Sequence, residues 1–231
     1  MKKILMVCML LLIVACSHEK ELGNMVVQGK IKGLKKGTLY LQKMSDTTIV
    51  SVDSIRLFGT DTFTLSNNIS SSEMYFLSIE GNQNILSFFG EKGTITVNDQ
   101  LEKFGIAPLI EGSNNQNIME KYKKIASKFQ GKQLDLLAAN IQAQKENDLE
   151  TSQILRKQAE KQNLKKYIYT INFALNNADT EAAAYITLTE LVNANIKYLD
   201  SINNSLSEKV QQSYYGKKLA KFVSTIKETE K

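Results

Sequence analysis

The chain has 231 residues, of which 42% are hydrophobic and 23% are charged, and this is ordinary for one large globular domain or two small ones. Its 29 basic and 24 acidic residues give a net charge of +5. Without residues 1–15, which contain Lys2 and Lys3, the balance is 27 basic against 24 acidic, or +3. This mild charge argues against a nucleic-acid partner, because phosphate binding requires concentrated basic patches.

The N-terminus has the pattern of a lipoprotein signal peptide over residues 1–15. Lys2 and Lys3 precede the apolar run 4–15, which is too short for a bilayer-spanning helix of about 20 residues. The run ends in "IVACS", the lipobox pattern in which a small residue precedes an obligatory cysteine. We therefore predict cleavage between Ala15 and Cys16, and diacylglyceryl and palmitate modification of Cys16. The alternative is an ordinary secretory signal with an accidental cysteine.

A lipid anchor at Cys16 would place the folded chain at a membrane surface, since each buried methylene contributes about 0.8 kcal/mol. Ser17 rather than Asp follows the cysteine, which resembles the outer-membrane sorting signal of enteric bacteria. We expect a cell-envelope protein that is lipid-anchored in the outer membrane and either periplasm-facing or surface-exposed. The polar residues 16–24 are expected to form a flexible tether.

Residues 25–113 are predicted to form strands, because apolar and polar residues alternate there between turn signals. Leu39 and Leu41 share one face of a strand, and Gly81-Asn82-Gln83-Asn84 is a hairpin connection. Seven or eight short strands at regular spacing are typical of a β-sandwich or barrel.

From residue 114 to residue 231 the hydrophobic period becomes helical, as Ile118, Tyr122, Ile125 and Phe129 illustrate. We predict that Gly131 ends the first helix and that a second begins at Leu134. Residues 142–166 are read as one long solvated helix or a broken pair. The fold class is therefore α+β, with an N-terminal antiparallel β-sandwich or barrel-like domain followed by an α-helical bundle.

Cap signals place the later helix ends. Thr180 and Ser207 are candidate N-caps, and Glu181 would lie in a first turn. Ala182–Val192 is predicted as a further helix whose pattern Ile196 extends. Gly216 is interpreted as a left-handed helix cap.

Four motifs occur in a characteristic order: "GKIKG" at 29–33, "GTLYL" at 37–41, "GEKGTITV" at 90–97 and "EGSNN" at 111–115. The third is interpreted as a hairpin. The ordered set resembles the N-terminal domain of Bacteroidota lipoproteins known as domain of unknown function 4369, over roughly residues 25–125. Ser213-Tyr214-Tyr215-Gly216-Lys217-Lys218-Leu219 also resembles the end of the helical segment of those proteins.

The resemblance implies no catalytic residues. In many relatives a thioredoxin-like domain follows the helical segment, but here we expect none, because the sequence stops soon after Gly216. A thioredoxin-type site requires two cysteines. Cys8 would be removed with the signal peptide and Cys16 acylated, so no free thiol is expected in the mature protein.

The remaining inventory offers little chemistry. The only histidine, His18, lies in the tether, which argues against histidine-based catalytic and zinc sites in the folded body. We expect no catalytic residues, metal or cofactor. The strand and turn acids are interpreted as exposed charges: Asp53, Asp61, Glu80, Glu91 and Glu111. Aromatic residues at helical positions are interpreted as core: Tyr167, Tyr169, Phe173, Tyr185 and Tyr198. Tyr214 and Tyr215 fit a contact surface, core or hinge equally well.

Three functions remain open. The leading hypothesis is a non-enzymatic envelope lipoprotein that binds or spaces another envelope protein. The second is a ligand-binding protein or carboxylate-based enzyme with a pocket between the β domain and the helices. The third is an accessory partner of a separate thioredoxin-like protein.

Overall fold

The computed structural model of the chain describes residues 22–229. The predictions of a signal peptide over 1–15, of lipidation at Cys16 and of a tether histidine at position 18 lie outside the described residues.

The β region contains eight strands, as the alternating pattern predicted. They are β1 Met25–Lys32, β2 Lys36–Ser45, β3 Thr48–Phe58, β4 Thr62–Asn67, β5 Glu73–Ile79, β6 Ile85–Gly90, β7 Gly93–Gln100 and β8 Leu109–Glu111.

The strands form two four-stranded sheets. The first sheet has the order β4-β1-β7-β8, and the second has the order β3-β2-β5-β6. Apolar side chains from both sheets fill one core, to which β1 contributes Met25, Val27 and Ile31 and β2 contributes Leu39 and Leu41, all with 0% exposure. This arrangement confirms the predicted β-sandwich, whereas the barrel alternative is not found among the described strands.

Two expectations about strand pairing were wrong. β1 pairs in parallel with β7, with Val27 opposite Ile95, so the first sheet is mixed rather than purely antiparallel. The segment 90–93 is not a hairpin, because β6 belongs to the second sheet and β7 to the first. It carries the chain from one sheet to the other, an outcome that local turn residues do not distinguish from a hairpin.

Six helices follow the sandwich within the described residues. They are α1 Asn114–Lys145, α2 Leu149–Asn176, α3 Glu181–Glu190, α4 Ile196–Ser205, α5 Glu208–Gln211 and α6 Tyr214–Thr229.

The two glycines expected to end helices both lie inside them. Gly131 is in the middle of the 32-residue helix α1, so the predicted second helix from Leu134 is a continuation of the first. One glycine lowers helix stability by only about 1 kcal/mol relative to alanine, which neighbouring contacts readily offset. Gly216 lies in the first turn of α6 without a positive φ.

The N-cap positions of α3 and α5 are those predicted, but their side chains do not cap. Thr180 precedes α3, and its hydroxyl donates instead to the Asn177 carbonyl at 2.8 Å. Ser207 precedes α5 without a side-chain cap bond. The helix expected over 182–192 ends at Glu190, and Ile196 begins a separate helix. Of the two alternatives for residues 142–166, the broken pair is observed, since α1 ends at Lys145 and α2 begins at Leu149.

A second core joins the helices to the second sheet, in which Met74 and Phe89 lie among helical residues such as Tyr122, Ile186 and Leu219. No member of this cluster lies between Ala126 and Tyr167. The intervening parts of α1 and α2 therefore form a helical hairpin that extends beyond the core, and we call residues 130–163 the distal hairpin.

We expect opposite effects from adding a methyl group at the two helical glycines. A Cβ at Gly131 meets nothing within 4 Å, so Gly131→Ala should raise the free energy of unfolding by about 0.5–1 kcal/mol. A Cβ at Gly216 would lie 1.9 Å from the Val210 carbonyl oxygen, so Gly216→Ala should lower it by about 1–3 kcal/mol. Urea unfolding followed by circular dichroism measures both, and a neutral Gly216→Ala would contradict the close approach.

Candidate functional site

Residues of the motifs at 90–97 and 111–115 meet where the sandwich joins the helices. Glu91 lies between β6 and β7, Ser113 is the N-cap of α1, and Asn115 is in the first turn of α1. Gly112 makes the approach possible, because its φ is +95° and a Cβ there would lie 2.1 Å from the Thr94 carbonyl oxygen. We call this meeting point the junction.

Asn115 connects α1 to the start of α3. Its Nδ2 donates to Glu181 Oε2 at 2.9 Å, and its Oδ1 accepts a hydrogen bond from Ala182 N at 2.8 Å. Glu181 is only 3% exposed, and its ion pair with the exposed Lys209 has a long N–O distance of 3.9 Å. The amide of Asn115 is therefore the principal partner of a buried carboxylate.

Glu91 holds the start of α1 against the sandwich. Its Oε2 accepts hydrogen bonds from Ser113 Oγ at 2.9 Å and from Asn115 N at 3.2 Å. Ser113 Oγ in turn accepts from Gln116 N at 3.1 Å, which caps the helix. Gln116 Oε1 accepts from Phe89 N at 2.9 Å, so α1 also satisfies a backbone amide of β6. These polar groups hold the start of α1 to the sandwich.

The motif at 213–219 supplies a further contact between helix and sheet. Tyr215 OH accepts a hydrogen bond from Met74 N at 3.1 Å, at the end of β5 beyond its pairing with β2. Its ring packs edge-on against Tyr185 and Phe89, with centroid distances of 5.0 and 5.9 Å. Of the three interpretations of Tyr215, core is the one that the structure supports.

One small cavity lies at this boundary. Its volume is about 190 Å³, and Lys218 Nζ lies 4.3 Å from the centre of the Tyr214 ring at its wall. Glu73 also lines it and pairs with Lys43 at 3.4 Å. The lining residues are Met44, Glu73, Met74, Phe76, Tyr185, Tyr214, Tyr215 and Lys218.

Burial shifts several tyrosines in one direction. Loss of hydration raises the pKa of Tyr75 to about 12, and it also raises the pKa values of Tyr122, Tyr185 and Tyr215. A phenol that ionises less readily than normal is a poor general base at neutral pH. These shifts mark packed side chains and do not indicate proton transfer.

The five acids singled out in the sequence do not converge. Asp61 pairs with Lys30 at 3.6 Å, Glu80 accepts from Thr38 Oγ1 at 2.7 Å, and Glu91 belongs to the junction. Asp53 accepts from the backbone N of Ser66 at 2.8 Å, and Glu111 is exposed on β8. Four of the five therefore hold particular neighbours that the interpretation as exposed charges did not anticipate.

The helical aromatic residues are largely core, as predicted. Tyr169 and Phe173 pack on Tyr122, with ring centroids 6.0 and 5.3 Å apart. Tyr167 and Tyr185 are partly buried against the second core, whereas Tyr198 remains 47% exposed.

Neither a cluster of metal-ligating side chains nor a helix that could span a membrane occurs in the part of the chain that is described. Within residues 22–229, no three His, Cys, Asp or Glu side chains are grouped as metal ligands would be. None of the helices over these residues is both long enough and apolar enough to cross a bilayer.

Sequence reasoning missed three features. Glu73 is buried beside the small cavity although nothing in its strand pattern signals this. Asn115 was part of a motif without an assigned role. The distal hairpin exposes Leu134, Leu137 and Ile141, although the helical spacing predicted only that a second helix begins at Leu134.

Comparison with known proteins identifies the N-terminal part. Residues 25–119 match the family described as "Domain of unknown function (DUF4369)". The match covers the sandwich and the first turns of α1, and hence the Glu91, Ser113 and Asn115 side of the junction. No curated protein matches the chain, and no solved structure matches it. The sandwich with the start of α1 is thus the part of the chain that is similar to this family.

We expect Asn115→Ala to lower the free energy of unfolding by about 2–4 kcal/mol, because it leaves the Glu181 carboxylate and the Ala182 N–H buried without their partner. Asn114→Ala is the matched control, since Asn114 is exposed in the same turn, and its effect should stay within about 0.5 kcal/mol. Urea unfolding of both variants measures the difference. Equal effects would show that Asn115 does not hold the junction.

Tyr215→Phe should lower the free energy of unfolding by about 1–2 kcal/mol at pH 8, because Met74 N loses its acceptor. Tyr214→Phe should change it by less than about 0.5 kcal/mol. Burial raises the pKa of Tyr215, so the folded state keeps the proton that an unfolded tyrosine loses near pH 10. Stability is therefore full below about pH 10 and falls as the pH rises further.

The fall in unfolding free energy above pH 10 should be shallower in Tyr215→Phe than in the unaltered chain. Urea titrations at pH 8, 10 and 11 give the two slopes. Identical slopes would contradict the burial of the phenol.

Proposed function

We propose that this chain is a lipid-anchored envelope protein whose folded body is a non-catalytic interaction module. The observation that carries the proposal is the distal hairpin, whose exposed apolar residues Leu134, Leu137 and Ile141 follow one side of α1. Exposed apolar surface on a soluble domain is characteristic of contact sites. The lipobox around Cys16 supports the anchor.

The non-catalytic character is supported by the way the polar groups are used. Glu91, Asn115 and Gln116 are engaged in holding α1 to the sandwich. The acids considered for carboxylate chemistry lie apart and have their own local partners. They do not form a pair of carboxylates that face one space, as most glycoside hydrolases require.

Two cavities favour ligand binding between the β domain and the helices. One of about 270 Å³ lies between Ser87 and the α1 residues Gln116 and Lys123, and is also small for a ligand site. The other lies beside Glu73 and Tyr214. Its volume of about 190 Å³ is below the range of roughly 300–1,000 Å³ that is usual for small-molecule sites. Lys43 already neutralises Glu73 there. The hairpin is therefore the stronger basis for a function.

The proposal is tested in intact membranes with a photoreactive amino acid at position 137, and with the same group at position 164 as the control. Leu137 and Leu164 are similarly exposed, at 53% and 57%, but lie on different helices. A discrete protein adduct from position 137 and none from position 164 is expected. The adduct's mass identifies another envelope protein, a thioredoxin-like protein or a second copy, and the absence of any adduct would contradict an interaction module.

The anchor is tested separately on the same membranes. Mass spectrometry of the mature N-terminus should find an acylated Cys16 as the first residue, and Cys16→Ala should release the chain from the membrane fraction. An unmodified Cys16 still preceded by Ala15 would refute the anchor without bearing on the hairpin.

A further inference from the structure

In the distal hairpin, α1 and α2 face each other along a line of side chains that we call the seam. The seam has little apolar content. Along α1 the side chains turned towards α2 recur at alternating steps of three and four, as in a coiled coil. In the distal part they are Gln133, Leu136, Asn140 and Ala143 on α1, and Ser152, Leu155, Ala159 and Gln162 on α2. Half of these are polar, so the two helices bury little hydrophobic surface between them.

Polar contacts fix the register of the hairpin. Ser152 Oγ donates to Asn140 Oδ1 at 2.7 Å, and Gln133 Nε2 donates to Asn163 Oδ1 at 2.8 Å. Gln133 Oε1 is buried without a hydrogen-bond partner. Among the described residues it is the one buried side-chain nitrogen or oxygen atom that lacks a partner. An acceptor in this state is open to a donor from outside the chain, either a water or a side chain of a partner.

Apolar side chains lie beside the seam rather than in it. Leu134, Leu137 and Ile141 are 59%, 53% and 46% exposed and follow one side of α1. Leu134 and Leu137 also border a groove of about 270 Å³ that runs between the helices. Leu136, Leu155 and Ala159 line this groove as well, and so does Gln133. The exposed apolar side chains and the groove therefore lie on the same face of the hairpin, which we call the hairpin face.

We propose that the hairpin face binds the same face of a second copy of this chain, so that the two hairpins complete a four-helix bundle. The inference rests on the proposed function, because it names the partner of the interaction module. A two-fold dimer requires a self-complementary patch, in which each copy offers what the other receives. The hairpin face offers both parts of such a patch, since it carries an exposed apolar stripe and an apolar groove beside it.

The charge of the hairpin favours its own kind as a partner. The distal hairpin has five basic and five acidic residues, a net charge of zero in a chain of net charge +5. The charges are segregated along its length. The tip 145–150 has one basic and three acidic residues, or −2, while the segment 151–163 has three basic and one acidic, or +2.

An antiparallel dimer brings these opposite charges together. Asn140 and Ser152 mark a level about 10 Å from the tip, and Gln133 and Asn163 mark a level about 10 Å on the other side, at 1.5 Å per residue. A two-fold axis at the Asn140 level sets each acidic tip over the partner's basic segment. The Asn147 amide of the tip then also reaches the level of the unpaired Gln133 oxygen.

The available area fits a small, reversible dimer. The distal hairpin presents two helices, each about 10 Å wide, and in the antiparallel arrangement two copies overlap over about 20 Å of their length, which gives about 400 Å² of each face in projection. Pairing the two faces buries about 800 Å² in total before their relief is counted, which is in the range of weak interfaces below about 1,200 Å².

The test measures the protein mass of the purified full chain in detergent by light scattering, with the detergent contribution subtracted. We expect twice the mass of one chain for the unaltered protein and the mass of one chain for Leu137→Glu. Leu164→Glu is the control and should remain dimeric, because Leu164 lies about 200° around α2 from the seam residue Gln162. Circular dichroism confirms that both variants are folded. The mass of one chain for the unaltered protein, or of two chains for Leu137→Glu, would overturn the proposal.

Charge exchange tests the antiparallel arrangement. A tip variant, Glu146→Lys with Glu150→Lys, and a segment variant, Lys157→Glu with Lys161→Glu, should each raise the dimer dissociation constant about three- to tenfold at low salt. An equal mixture should dimerise as the unaltered chain does, since each tip then faces an opposite charge. A mixture no tighter than its components would overturn this arrangement. A monomeric chain with an adduct to another protein at position 137 would leave the proposed interaction module standing.

Discussion

The packing of the helical region on the sandwich depends on one buried pairing, that of Asn115 with Glu181 and Ala182. A buried carboxylate without partners costs several kcal/mol, and here the Asn115 amide and the N-terminus of α3 offset that cost. Glu91 fixes Asn115 from the side of the sandwich. The positions of α3, and of the helices packed on it, therefore follow from a polar contact rather than from hydrophobic burial alone.

This geometry gives the recurring motifs a structural meaning. In "EGSNN", Gly112 permits the close approach of two backbones, Ser113 caps α1, and Asn115 binds the start of α3. In the later motif, Tyr215 reaches the Met74 amide, and Gly216 lets the helix lie against the Val210 carbonyl. Both motifs mark the junction of sheet and helices. Each motif thus has a structural role in this chain.

Alternation along the chain was enough to predict the eight strands, because a strand that buries one face must alternate. The parallel pairing of β1 with β7 was not predictable, since it joins segments far apart in sequence. Gly131 and Gly216 were misread because a glycine marks a helix end or a close approach equally well, and only the neighbouring atoms decide. For the same reason Asn115 could be named as a motif residue, but its partners in α3 could not.

Apolar side chains stabilise a fold only where folding removes them from water. Leu134, Leu137 and Ile141 remain about half exposed, while polar Gln133 and Asn140 occupy the seam where leucines would have stabilised the hairpin most. Folding of the single chain therefore accounts neither for the leucines outside the seam nor for the polar residues within it. Pairing of the hairpin face accounts for both, because the leucines are then buried in a larger bundle whose polar seam fixes the register. The sequence of the distal hairpin is therefore the feature of this structure that the proposed dimer would explain.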